Sequence, residues 1–307
     1  MHSGPSWDIL VVLDLFLAGL SAGAFATSAT AYLLNPVTYA RVIRFGAYLA
    51  PIPVSMGLGL LVLHLGRPLV FYKLLLTLQP LSVMSWGAWL LTLFLAISCT
   101  YAYLHLPAHL QPFKFARRSE VLRVLAISGL TAAAGVGVYT GLLLAAGSRP
   151  LWTTPLLPQL FLVSALSTGA AAVLVTAAAY RRDAAQPSEF RLLLLLVLAL
   201  ISLEVLMIAL MILFGRLCSL GVRLAMDEVL TGAFGPPFWA GVVLVGLLSP
   251  LVIAGYGLLS ARDGGNHGGS GRGSHFLALA TGTLVLVGGF MLRYVIVYAG
   301  QTTRWVN

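Results

Sequence analysis

Charge is what this chain lacks most. Eighteen Lys and Arg and nine Asp and Glu among 307 residues make a charged share of 9%, against about 25% in soluble domains. With a hydrophobic share of 59% and a mean hydropathy of +0.96, a soluble globule is excluded. Cysteine is scarce too. Cys99 and Cys218 are the only two, and they form neither a metal pattern nor an obvious disulfide pair. The net charge of +9 would suggest nucleic acid in a soluble protein. In so apolar a sequence it records basic loops on one side of a membrane, and no nucleic-acid partner is expected. A cleavable signal peptide is not expected either: residues 1–6 lack Lys and Arg, and the apolar run after Trp7 is longer than a signal core.

What is present is a succession of apolar runs of about 20 residues, the length that crosses a bilayer as helix. Eight spans can be drawn, at roughly 8–33, 46–66, 84–106, 121–146, 156–180, 190–214, 236–260 and 275–300. The fold class is therefore an all-α polytopic membrane protein, one integral membrane domain over 1–307. Thirty-two glycines suit close helix packing. The loops around 34–45, 107–123, 181–191 and 261–274 hold eleven Lys and Arg residues, Arg41 and Arg44 among them. The other face holds six, including Arg67 and Lys73. That asymmetry places the first set in the cytoplasm and both termini outside, N-out and C-out. The segment 264–273 is a Gly-rich spacer without the strand and Lys-Ser/Thr ending of a phosphate loop. Among the outer loops, 215–237 either docks an extrinsic subunit or lies as an interfacial helix on lipid headgroups. Pro51 and Pro53 break the second span, with no counterpart elsewhere, which argues against a transporter built from inverted repeats.

Ionisable groups inside spans are costly and usually face a cavity or a partner. Asp14, Tyr139 and Arg293 each stand seven residues from the outer end of a span, at a depth of about 10 Å. His64 lies nearer the outer rim, and Glu204 roughly 15 Å from the outer end, near the midplane. Each has a plainer explanation: Asp14 and Arg293 as an ion pair or as snorkelling side chains, His64 as an interfacial histidine, Tyr139 as an interface tyrosine. Glu204 is either a proton acceptor or an interhelical hydrogen bonder. Gly135, Gly137 and Gly141 leave a groove beside Tyr139, as Gly19 and Gly23 do below Asp14, although such spacing is usually helix packing.

An acid, a tyrosine and a histidine in the outer third of the membrane match the needs of a quinone headgroup. Its two oxygens exchange two protons with two electrons, and each oxygen needs a hydrogen-bonding or proton-exchanging group. The corner Leu63-His64-Leu65-Gly66-Arg67-Pro68, with Ser82 to Trp89 after it, would roof such a site, placing Arg67, Ser85 and Trp86 above it. The electrons need a carrier, and none is evident here. Of six histidines, His105 and His275 fall near the inner surface and are not read as a haem pair.

Several stretches carry a family resemblance. They are Phe16-Leu17-Ala18-Gly19-Leu20-Ser21-Ala22-Gly23-Ala24, His64-Leu65-Gly66-Arg67-Pro68, Ser82-Val83-Met84-Ser85-Trp86-Gly87-Ala88-Trp89, Tyr139-Thr140-Gly141 with Pro150-Leu151-Trp152 and Leu157-Pro158, and Gly288-Gly289-Phe290-Met291-Leu292-Arg293-Tyr294 with Ala299-Gly300-Gln301. In this order, from about Trp7 to Gln301, the sequence resembles the NrfD/polysulfide reductase membrane subunits, haem-free quinone-binding anchors of bacterial respiratory oxidoreductases. The resemblance implies eight helices with both termini outside, in the bacterial cytoplasmic (inner) membrane. It also implies a site for menaquinone or ubiquinone, bound non-covalently, with a polar residue on the first helix and a tyrosine on the fourth. Those positions are Asp14, where the family looks to have histidine, and Tyr139. His64 stands where relatives often carry an acid, and is expected to relay protons with Asp14. Trp152 and Arg293 match family positions and are expected to support the site. No haem or metal is expected in this chain. The implied partners are a ferredoxin-like multi-cluster iron–sulfur subunit and, through it, a molybdopterin, multihaem or hydrogenase subunit. The alternatives are a passive anchor without quinone chemistry, or a proton-translocating subunit that uses Glu204.

Overall fold

The structure, a computed structural model, describes residues 7–64, 82–111, 118–180, 187–262 and 272–302. Among the described residues there is no strand. The helices are α1 (Ile9–Leu34), α2 (Ala40–Leu49), α3 (Pro51–His64), α4 (Val83–His105), α5 (Arg118–Ala145), α6 (Leu157–Ala179), α7 (Pro187–Leu217) and α8 (Leu220–Leu230). A π-helical stretch, Pro237–Leu248, then runs into α9 (Ser249–Arg262), and α10 (Arg272–Thr302) closes the bundle. Eight helical segments are long and apolar enough to span a membrane: α1, α2 with α3, α4, α5, α6, α7, the π stretch with α9, and α10. The protein is a multi-pass membrane protein.

The second span starts at Ala40, which corrects one feature of the sequence reading. Arg41 and Arg44 belong to the first turns of α2, not to a loop. Arg123 and Arg191 likewise sit on α5 and α7. The expected break in the second span falls at Ala50. Pro51 and Pro53 have no N–H to continue the ladder, and Ser21 of α1 donates its hydroxyl to the Ala50 carbonyl.

Hydrocarbon offers helices no hydrophobic reason to associate, so small residues that admit close backbone contact decide the packing. The most enclosed spans are α1 and α6. They cross at Gly23 and Gly169, where a Cβ on either residue would overlap the other helix's backbone. Gly137 and Gly141 of α5 press on Leu162 and Pro158 of α6, and Gly246 presses on Gly288 of α10. The spaces beside Gly23, Gly137 and Gly141 are thus filled by neighbouring helices, and the groove expected along Tyr139 is closed on that side.

Two apolar cores result. One joins α1 to α2, α3, α4 and α5 around Phe25, Phe94 and Tyr101; the other joins α1 to α6, α7, the π stretch and α10 around Trp152, Phe161 and Phe238. α1 is the shared wall, so its polar residues face one core or the other. The termini are tied together at one end of the bundle. The Trp7 N–H donates to Gln301 Oε1 at 3.0 Å, and Gln301 Nε2 donates back to the Trp7 carbonyl at 2.9 Å. Between α7 and the π stretch, α8 buries Val222, Ala225, Met226 and Val229 and exposes Arg223, Leu224 and Asp227.

Candidate functional site

Asp14 leaves α1 on the side of the first core. It is buried, and its Oδ1 has no hydrogen-bond partner. Opposite it stands Gly57 of α3, where a Cβ would lie 2.8 Å from that oxygen. A side chain at Gly57 would therefore fill the room the carboxyl uses. Tyr139 of α5 reaches the same region and is close enough to Asp14 to interact with it electrostatically. Its ring rests on Gly87 of α4, and any Cβ there would overlap the ring. Its hydroxyl makes no hydrogen bond among the described residues.

The local sequence explains the placement. Ser82 caps α4, its hydroxyl accepting from the Ser85 N–H at 3.4 Å, so α4 starts about one turn before Gly87. Gly57 lies within Met56-Gly57-Leu58-Gly59, and a Cβ on Gly59 would meet nothing within 4 Å. The structure thus brings Asp14 and Tyr139 together between two glycines that sequence reasoning does not single out. The glycines themselves are visible in the sequence, but which helix faces which is not.

On the other side of α1 lies a second polar group. Arg293 of α10 is fully buried. Its Nη1 donates to the Gly289 carbonyl at 2.7 Å and to Ser164 Oγ at 3.2 Å, and its Nε donates to the Leu15 carbonyl at 3.3 Å. The guanidinium lies over the rings of Phe16 and Phe161, 5.6 Å from each centroid, a cation–π arrangement. Its electrostatic partner is Glu204 of α7, which accepts the Ser167 hydroxyl at 2.7 Å and has Ser164 close to the same carboxyl. The pairing considered from sequence, Asp14 with Arg293, is replaced by Arg293 with Glu204, because the two residues leave α1 and α10 toward different cores. Arg293 Nη2 is left without a partner.

The remaining expected residues are scattered. Trp152 is buried at the helix ends, where its Nε1 donates to the Ile296 carbonyl at 2.9 Å and its indole packs on Gly300 and on Trp7, ring centroids 5.4 Å apart. It locks the ends of the bundle together. Ser85 is buried near the start of α4, whereas Trp86 is 59% exposed. His64 ends α3, but its side chain, like all of Arg67, lies outside the described residues. His105 Nδ1–H donates to the Tyr101 carbonyl at 2.8 Å, while His275 packs on Phe190.

A buried carboxyl oxygen without a donor, beside a tyrosine without an acceptor, is suited to a ligand that supplies both. A quinol has two hydroxyls to donate and two oxygens to accept, so the residues present fit its headgroup. Among the described residues, no three His, Cys, Asp or Glu side chains gather as a metal would require.

The family model described as "Polysulphide reductase, NrfD" matches residues 1–305. The C subunit of polysulfide reductase from Wolinella succinogenes is 32% identical over 96% of this sequence and 94% of its own length. A protein NrfD homolog of Haemophilus influenzae is 30% identical over 97% and 95%. A shorter match, 25% identical over 53% of this sequence and 39% of the relative, is to an Hdr-like menaquinol oxidoreductase integral membrane subunit of Archaeoglobus fulgidus.

Proposed function

The chain belongs to the polysulphide reductase NrfD family, and we propose that it is the quinone-reactive membrane subunit of a respiratory oxidoreductase complex. Relatives named as one subunit of polysulfide reductase and as a membrane subunit of a menaquinol oxidoreductase support assembly into such a complex and a quinone as its membrane substrate. The observation that carries the site is the orphaned Oδ1 of buried Asp14 beside Tyr139.

A quinol enters from the lipid and sets its headgroup against the Asp14 carboxyl and the Tyr139 hydroxyl, the two groups that Gly57 and Gly87 seat by having no side chain. Asp14 accepts the hydrogen bond from one hydroxyl and takes its proton. The Tyr139 hydroxyl donates to the other oxygen and holds the ring in place. Oxidation releases two electrons and two protons. The electrons pass to an extrinsic iron–sulfur subunit, a ferredoxin-like protein with several clusters, and through it to the catalytic subunit, molybdopterin, multihaem or hydrogenase in type. The protons leave by Asp14, and His64 is placed by sequence as their exit toward the outer water. Quinone reduction runs the same steps backward, with menaquinone or ubiquinone as substrate. The basic loops put both termini outside, in a bacterial cytoplasmic membrane.

Glu204 is assigned to the framework. It accepts the Ser167 hydroxyl and meets Arg293 at the Ser164 hydroxyl, and a carboxylate so engaged offsets the charge of a buried guanidinium. The test of the whole uses the assembled complex: Tyr139→Phe and Asp14→Asn each assemble, each lose quinol-linked electron transfer, and each keep the catalytic subunit's activity with a soluble dye. Normal quinol turnover in both variants would make the protein a passive anchor.

A further inference from the structure

At the far end of α1 from Asp14, two clefts open beside each other. They measure about 490 and 450 Å³ and share a wall made by Arg44, Tyr48, Leu106 and Pro107. Tyr32, near the far rim, stands eighteen residues along α1 from Asp14, about 27 Å. The clefts are therefore separate from the quinone site. The larger runs inward over Phe45, Phe190 and Leu193; the smaller is rimmed by Tyr32 and His105.

We propose that this pair of clefts is a binding site for an anionic phospholipid, with its phosphodiester on Arg44 and an acyl chain in the larger cleft. Arg44 lines both clefts, is exposed, and makes no hydrogen bond or ion pair among the described residues. A guanidinium in that state matches a phosphate, which it engages through two parallel N–H donors. Arg41, one turn earlier on α2, lies in the lining of the larger cleft. Glu189, the one acid in the lining among the described residues, is buried and accepts the Arg41 backbone N–H at 3.2 Å, capping the start of α2. His105 is occupied at the Tyr101 carbonyl. Among the described residues, the exposed charge in the lining is that of Arg44, and Phe45, Phe190 and Leu193 make the interior apolar.

That combination selects an amphiphile. A free phosphate would use Arg44 but leave the apolar cleft unfilled, and a zwitterionic lipid such as phosphatidylcholine would fill the cleft and offer a phosphodiester but bring its own ammonium against Arg44. Tyr32, Tyr48 and Tyr180 ring the opening, as tyrosines do at headgroup level. The site also lies at the end of the bundle that carries the basic loops, the side on which such pockets between transmembrane helices bind anionic headgroups.

The test uses the purified complex, exchanged into detergent and offered phosphatidylglycerol or phosphatidylcholine, with tightly held lipid counted after gel filtration. The wild type retains phosphatidylglycerol in preference to phosphatidylcholine. Arg44→Ala lowers affinity for phosphatidylglycerol roughly fivefold or more; Arg123→Ala, on an exposed face of α5 outside the clefts, leaves it unchanged. Leu106→Trp, which fills the shared wall and keeps every charge, also expels the lipid and covers the case in which Arg44→Ala does not assemble. Equal losses for Arg44→Ala and Arg123→Ala would mean diffuse attraction by basic surface and would overturn the site. So would retention by Leu106→Trp, or displacement of the lipid by millimolar inorganic phosphate alone. Quinol turnover reports on the other end of α1, so loss of lipid and loss of the quinone site are read separately.

Discussion

The ring of Tyr139 rests on Gly87, with no space between them for a methyl group. That relationship ties α5 to α4 at the level of Asp14 and fixes where the tyrosine hydroxyl points. Gly87→Ala must therefore swing the ring out of position. Overpacking of this kind costs roughly 1–3 kcal/mol, and the expected outcome is about a tenfold or greater fall in quinol-linked kcat/KM in an assembled complex. Unchanged kinetics would show that Tyr139 has no fixed position in the reaction.

Arg293 and Glu204 should behave as a unit. Removing one member of a buried charge pair leaves the other uncompensated, at about 3–5 kcal/mol in soluble proteins. Arg293→Met is expected to lower the thermal midpoint of the complex sharply, and Glu204→Gln added to it to recover part of the loss. Strict additivity of the two changes in a double-mutant cycle would separate them.

Glu204→Gln alone also distinguishes the framework role from a proton path. In the reconstituted complex the ratio of protons to electrons should stay as in the wild type while stability falls. A changed ratio would place Glu204 on a translocation route and revive the proton-pumping alternative.

The clasp between Gln301 and Trp7 makes a milder prediction. Gln301→Ala deletes two reciprocal hydrogen bonds, each contributing about 0.5–1.5 kcal/mol net. The thermal midpoint should drop by a few degrees with quinol kinetics unaltered, since the clasp lies at the helix ends, away from Asp14. A change in KM for quinol would instead link the termini to the site.

Much of this is legible in the sequence, because hydrophobic length is a local property. Eight apolar runs announce eight spans, and an acid inside the first of them marks itself as unusual. Counting residues also sets Asp14 and Tyr139 at one depth. What sequence does not supply is azimuth. Depth along a helix follows from residue number, but the direction in which a side chain leaves the axis matters only relative to neighbours whose packing is tertiary. Hence sequence matches Arg293 to Asp14, whereas Arg293 faces Glu204 across the other core. For the same reason sequence draws attention to Gly137 and Gly141, which pack helices, and passes over Gly57 and Gly87, which make room. Trp152 enters the sequence reading only through the family resemblance, and what its indole touches, the Ile296 carbonyl and Gly300, is likewise a matter of tertiary packing.

The most direct measurement of the central claim is equilibrium binding of a menaquinone analogue to the purified complex, followed without turnover. Asp14→Asn and Tyr139→Phe should each weaken binding, and together they should weaken it by about tenfold or more, at roughly 0.5–1.5 kcal/mol for each hydrogen bond lost. Glu204→Gln should bind as the wild type does. Wild-type affinity in the Asp14→Asn/Tyr139→Phe double variant would contradict the account and place the quinone elsewhere.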